Sequence, residues 1–408
     1  MSETQTPSAP SAPSVPAGAA LYMALVNFLF VTTWTIYVIF LPKLLESAGI
    51  PLSYLLWILI LDQLTFMVMD IYTGVKADHA QRTLGRLGPM ILGWTALSCV
   101  AFLLLPHVVL LGAAAPAAAL ALIVIWTATS SALRAPPWTL LGKYAAKPAL
   151  PRMNMLMLIG LAVGGAVSPY LGIVLKNVDP RLPFAVSSLT LLAATAGIIY
   201  VERLLQNRPA SPLPEVKPQV LTGEHWMYML GILLLAGGFQ IHFSLNAAGQ
   251  FLKFAKPADL EWLMPLFWVG FGVAMMPGSA LCKHFGTLPF MAVSALLGAA
   301  GAFAAATAGS LDMLIAAQII AGCAWGNMLM AAYCTAAELG RSGREGLALG
   351  MMFAMLAFAA LTRIGAALAG VNKNPEFATA LALIPVILWV VGGVVIWVLA
   401  TRMRPVSA

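Results

Sequence analysis

The 408 residues are 61% apolar and 9% charged, with a mean hydropathy of +0.90 and a formal net charge of +7. A water-soluble domain carries about 25% charged residues, so this composition excludes one and describes a polytopic membrane protein. Cys99, Cys282, Cys323 and Cys334 fall in or beside apolar stretches without C-x-x-C or Cys/His spacing, so neither a disulfide framework nor a metal site is expected.

Residues 1–19 are rich in Pro, Ser and Ala and hold no Lys or Arg. They lack the basic start of a secretory signal and read as a disordered tail. Twelve stretches then reach the roughly 20 apolar residues that a membrane helix needs. They lie near 20–42, 51–75, 88–106, 108–132, 153–175, 182–202, 226–252, 257–281, 287–307, 311–337, 346–371 and 377–400. The polar, Pro-rich segment 203–225 divides them six and six, giving bundles over 20–202 and 226–401 and a short tail over 402–408. The fold class predicted is all-α, two six-helix bundles in a membrane. Fifteen Lys and Arg on the side of the termini face six on the other, which puts both termini in the cytoplasm by the positive-inside rule. On these boundaries Arg363 alone, of 22 basic residues, lies inside a span. The basic surplus is a topology signal and implies no nucleic-acid partner.

The second span carries two carboxylates, Asp62 and Asp70. An acid at bilayer depth costs at least about 2.5–3.5 kcal/mol on insertion scales, so such acids default to functional hypotheses. Eight residues at 100° leave the two about 80° apart around the helix. Arg363 is the natural partner of Asp62, because their depths differ by about 5 Å at 1.5 Å per residue, whereas Asp70 lies about 12 Å deeper. Such a pair either locks two helices statically or couples proton and substrate, since each ligand changes what the other's partner meets. In the seventh span His242, Asn246 and Gln250 recur every four residues, two residues after Gln240. One face of a helix would carry them, either as interhelical hydrogen bonds or as a substrate lining with His242 as a proton carrier. Asn27 and Trp34 of the first span, with Trp138, Trp268 and Trp325, complete the candidate cavity residues.

The loop after the second span reads GVKADHAQRTLGRLGP over 74–89, and a weaker echo, PGSALCKHFG, follows the eighth span. PPWTLLGKYAAKPALPRMN is paired in the same way with AAYCTAAELGRSGREG after the tenth. This half-repeat resembles the major facilitator superfamily. More narrowly, the D-x-x-x-G-x-x-x-D pattern of Asp70, Gly74 and Asp78 with its R-x-x-G-R-x-x-P tail, PPWTLL, and TAAELGRSGREGLALG are similar to the glycoside–pentoside–hexuronide:cation symporters, the melibiose permease group. The resemblance implies a gate latch of Gly74, Asp78, Arg82, Gly85 and Arg86 closing against the start of the eleventh span, with Glu338, Arg341 and Arg344 in the partner loop. It implies a cation-site carboxylate at Asp70. The second carboxylate of that family would fall four residues earlier, where this chain has Phe66, so proton coupling is favoured over sodium. Arg134 stands near the family's sugar-binding acid.

There is no P-loop, H-E-x-x-H or G-x-S-x-G motif, so no enzyme activity and no cofactor are expected. The expectation is a proton-coupled secondary transporter of a small organic anion in a bacterial inner membrane, a monomer whose partners are its solute and the bilayer. Asp62 would carry or gate the coupling ion, Asp70 would support it, and Arg363 would bind the anion. A sugar:cation symporter, an exporter of amphipathic compounds and a non-transporting membrane scaffold or sensor remain open readings.

Overall fold

The structure, a computed structural model, describes residues 15–83, 86–206, 221–340, 343–371 and 374–403. Among them, eleven helical segments are long and apolar enough to cross a bilayer. One of these, Gly88–Gly142, holds two passes, because its 55 residues in a single helix would reach roughly 80 Å against a hydrocarbon core of about 30 Å. The reversal is at Gly112, whose φ of 55° lies in the left-handed region where a Cβ is disfavoured. Ser98 and Trp126, equidistant from Gly112 in the sequence, meet across the hairpin, the Ser98 hydroxyl donating to the Trp126 carbonyl at 3.5 Å. The described chain therefore makes twelve passes.

They are α1 (Ala17–Ser47), α2 (Leu55–Thr83), α3 (Gly88–Leu104), α4 (Ala115–Ser130), α5 (Leu150–Val174), α6 (Arg181–Gln206), α7 (Gly223–Phe239), α8 (Pro265–Phe285), α9 (Thr287–Ala306), α10 (Leu311–Leu339), α11 (Glu345–Leu368) and α12 (Ala378–Arg402). The start of α1 and the end of α12 lie at one end of the bundle, called here the terminal end. Residues 1–14, 207–220 and 404–408, which include most of the predicted tails and linker, lie outside the described residues. Helix α7 is entered through a reciprocal cap in which Thr222 and His225 bond each other.

Two passes depart from plain α-helix. After α4 the chain takes a 3-10 turn, Ser131–Leu133, breaks at Arg134 (φ −95°, ψ −89°) and resumes as the helix Ala135–Gly142. Pro136 and Pro137 cause the break, since neither can donate to the carbonyl four residues earlier. The fourth pass thus ends near 142 rather than 132, and Arg134 lies inside it. Helix α7 runs into a π-helical segment, Gln240–Ala247, and a last turn, Ala248–Phe251.

Within each bundle small residues bring backbones together, as where a Cβ on Gly160 of α5 would strike the Ala24 carbonyl of α1. Between the bundles α2 packs on α11 and α5 on α8.

Candidate functional site

A cavity of about 390 Å³ lies between the two bundles. Six of the residues expected from the sequence line it: Asn27, Trp34, Trp138, Gln240, Trp268 and Arg363. Gln63, Phe66, Arg134, Phe239, Phe243, Ser244 and Tyr333 share the lining. Trp325 does not; it stacks behind Phe239 with ring centroids 4.6 Å apart. Arg363 Nε is buried without a hydrogen-bond partner among the described residues.

Asp70 finds its cation in Arg134, not on another span's far end. The Arg134 Nε lies 3.1 Å from Asp70 Oδ2, with the acid fully buried. The same guanidinium donates to the Phe353 carbonyl of α11 at 3.4 Å and lies 4.5 Å from the Phe66 ring and 4.9 Å from the Phe353 ring. Arg134 therefore ties α2 to the break in α4 and, through Phe353, to the other bundle.

Asp62 does not meet Arg363. Its Oδ2 accepts from the Tyr37 hydroxyl at 2.9 Å and its Oδ1 from the Thr127 hydroxyl at 2.8 Å, and it is 1% exposed. Rise per residue alone could not settle the pairing, because azimuth decides it. The face of α2 that meets α11 is set by Asp70, Gly74 and Asp78, and sixteen residues at 100° turn Asp62 about 160° from Asp78. Asp62 accordingly faces α1 and α4 of its own bundle.

The polar stripe of the seventh pass is split. Gln240 lines the cavity, whereas His242 Nε2 lies 3.0 Å from Gln318 Oε1 and Gln318 Nε2 donates to Gln250 Oε1 at 3.1 Å, all three buried. Asn246 donates to the Leu381 carbonyl at 2.7 Å. A π-helical turn holds more residues than an α-turn, so the four-residue spacing does not keep one face: His242 and Gln250 turn to Gln318 of α10, and Asn246 to α12. His242, Asn246 and Gln250 serve as interhelical hydrogen bonds here and do not line the cavity.

The terminal end of the cavity is sealed. Asp78 accepts from the backbone N–H groups of Gly346 (2.7 Å) and Leu347 (2.9 Å) in the first turn of α11, where unpaired N–H groups and the helix dipole favour an anion. The helices approach so closely there that a Cβ on Gly74 would strike the Gly346 carbonyl, and one on Gly350 the Asp70 carbonyl. Nearby, Trp138 stacks on Tyr333 at 4.7 Å, Lys147 meets Glu338 at 3.1 Å and Asn154 donates to Cys334 Sγ at 3.2 Å. The bonds from Arg134 to Phe353, Asn154 to Cys334, Asp78 to Gly346 and Leu347, and Lys147 to Glu338 all join the two bundles at this end. Of the other latch residues, Arg344 caps α11 and Arg86 is exposed. Gly85, Arg341 and the Arg82 side chain lie outside the described residues.

No protein-family model matches the chain, and no curated protein matches it. Solved structures do match. A bacterial homologue of the iron transporter ferroportin, in an outward-facing state with soaked iron, superposes with a TM-score of 0.73 at 13% identity, over 94% of this chain and 99% of that one. The E. coli fucose:proton symporter FucP matches at TM-score 0.68 and 15% identity over 96% and 100%, and FucP is named a major facilitator superfamily transporter. The chain has the major facilitator fold. The human organic anion transporter MFSD10 (TETRAN) matches at TM-score 0.66 and 14% identity over 95% and 100%. Identities this low establish the shared fold and nothing narrower.

Tyr37 and Thr127 are site residues that sequence reasoning missed, while Arg134 and Phe66 were noted only as departures from the family's pattern and not placed together in the site. For Arg134 a signal existed: the apolar run WTLL continues past Pro136 and Pro137, so the pass could have been extended through the break. Thr127 carried no signal, because a lone threonine hydroxyl in an apolar helix is ordinarily bonded to its own backbone, and Tyr37 reads as one more aromatic residue of an apolar helix.

Proposed function

We propose that this chain is a secondary active transporter that moves a small organic anion by alternating access, coupled to protons, in a bacterial inner membrane. The observation that carries the reading is Arg363, a guanidinium in the cavity between the bundles with no acid opposite it among the described residues. Arg363 is half-buried, with its Nε out of reach of water; a cation so placed without a counter-ion is costly, and an anionic solute would lower that cost on binding.

The Asp70–Arg134 pair is the better coupling site. Asp62 is held by two hydroxyls within one bundle, whereas Asp70 acts on a guanidinium that lines the cavity and touches α11. Protonating Asp70 would free Arg134 and loosen the contact with Phe353. Arg134, 3.1 Å from Asp70 and 4.5 Å from the Phe66 ring, places a positive charge where the melibiose permease group would hold sodium, which favours the proton. Moving Arg134 into the bundle leaves fourteen basic residues against six, so the terminal end is assigned to the cytoplasm. The structure is then closed toward the cytoplasm.

Reconstituted protein with an acidic exterior should accumulate a labelled organic anion against its gradient. Arg363→Gln should abolish both accumulation and exchange, and Asp70→Asn should abolish accumulation while exchange persists. Accumulation driven by sodium alone, or unchanged in Arg363→Gln, would overturn the assignment.

A further inference from the structure

We infer that the solute is an aromatic monocarboxylate, its carboxylate on Arg363 and its ring held between two aromatic walls. This rests on the anion reading above and narrows it by charge count and shape. Two arginines line the cavity, but they are not equivalent. Arg134 is spent: it has a carboxylate at 3.1 Å, a carbonyl at 3.4 Å and rings at 4.5 and 4.9 Å. Arg363 has a buried Nε and no such partner among the described residues. One open guanidinium accepts one carboxylate bidentately. A second carboxylate on the same solute would have to displace Asp70 from Arg134 or lie unpaired against rings.

The walls settle what the rest of the solute can be. On one side Trp34 and Phe66 lie with centroids 5.5 Å apart. On the other, Phe239 and Phe243 stack nearly parallel at 8°, and Phe243 meets Trp268 edge-on at 5.5 Å. All five line the cavity. Aromatic pairs favour stacked or edge-on contact with a further ring over contact with a flexible chain. The volume of about 390 Å³ is near the lower end of the roughly 300–1,000 Å³ typical of small-molecule sites, which suits a single ring with a short acid side chain. Asn27, Gln63, Gln240 and Ser244 are the polar lining left over. With the Trp138 Nε1, buried without a hydrogen-bond partner among the described residues, they are outnumbered by the nine aromatic side chains that line the cavity, so ring contact dominates the lining.

The test is thermal unfolding of the purified full-length protein with 3-phenylpropionate, the ring-free acid propionate, the diacid succinate, neutral 3-phenylpropanol and a hexose as probes. Phenylpropionate should stabilise saturably, with each other probe at least about tenfold weaker. Arg363→Gln should retain its fold, because it removes an unpaired buried charge, and should lose the phenylpropionate response. Phe243→Leu keeps the volume and the arginine and should narrow the preference for phenylpropionate over propionate. Succinate binding as well as phenylpropionate, with dependence on Arg363, would overturn the aromatic monocarboxylate while leaving organic-anion transport standing. A hexose or phenylpropanol response indifferent to Arg363→Gln would overturn both. No response to phenylpropionate, or an unchanged ring preference in Phe243→Leu, overturns the inference alone.

Discussion

Asp78→Asn probes the seal at the terminal end. In the structure the carboxylate spans two N–H groups of α11, at 2.7 and 2.9 Å, and is 3% exposed. An amide keeps one accepting oxygen and turns an NH2 group toward the other N–H. The loss is one hydrogen bond to a charged group, about 1.5–3 kcal/mol, plus about 0.3–1 kcal/mol of helix-dipole interaction. Water entering as the seal parts recovers some of this, so a net bias of about 2 kcal/mol toward the opposite state is expected. That shifts the balance of the two states roughly thirtyfold. Spin labels at Arg203 and His284, exposed positions on the terminal ends of different bundles, report the shift as a longer distance population in a cysteine-free background. The overall melting temperature should move little, because each bundle's core is untouched. If the distance distribution of Asp78→Asn matches that of the parent, Asp78 does not hold the seal, and the argument from its hydrogen bonds fails.

Four further outcomes follow from the same geometry. Gly350→Ala places a methyl against the Asp70 carbonyl, so it should force α2 and α11 apart and move the same spin-label distance in the same direction without removing any polar contact. Asp70→Asn leaves Arg134 buried without its ion partner, a loss of about 3–5 kcal/mol, and the double variant Asp70→Asn/Arg134→Gln should recover much of that in a thermal unfolding series. Asp62→Asn retains an acceptor for one of its two hydroxyl donors; it should cost about 1–2 kcal/mol and leave proton-driven accumulation intact, an outcome opposite to that of Asp70→Asn. His242→Leu opens the buried chain through Gln318 to Gln250 and should lower stability by about 1–3 kcal/mol with the affinity for anions unchanged.

The twelve passes and their division into two halves were legible in the sequence, because each rests on local quantities, and the contact of Asp78 with the start of the eleventh pass is the one the resemblance to the major facilitator superfamily implied. An apolar run long enough for a bilayer dictates a helix wherever it is placed, and a motif at a helix end stays at that end. Tertiary structure alone decided the partners. Rise per residue matched Asp62 and Arg363 only in expected depth, and whether they meet depends on azimuth, on how helices are rotated against one another. Asp70 found Arg134 because Pro136 and Pro137 break the fourth pass inside the bilayer rather than ending it. The His242, Asn246 and Gln250 stripe dispersed because a π-helical turn altered the period on which the stripe was counted. A sequence of helices fixes how deep each side chain lies. Which neighbour it meets is set by rotation, crossing and breaks, and those arise only when the bundles pack.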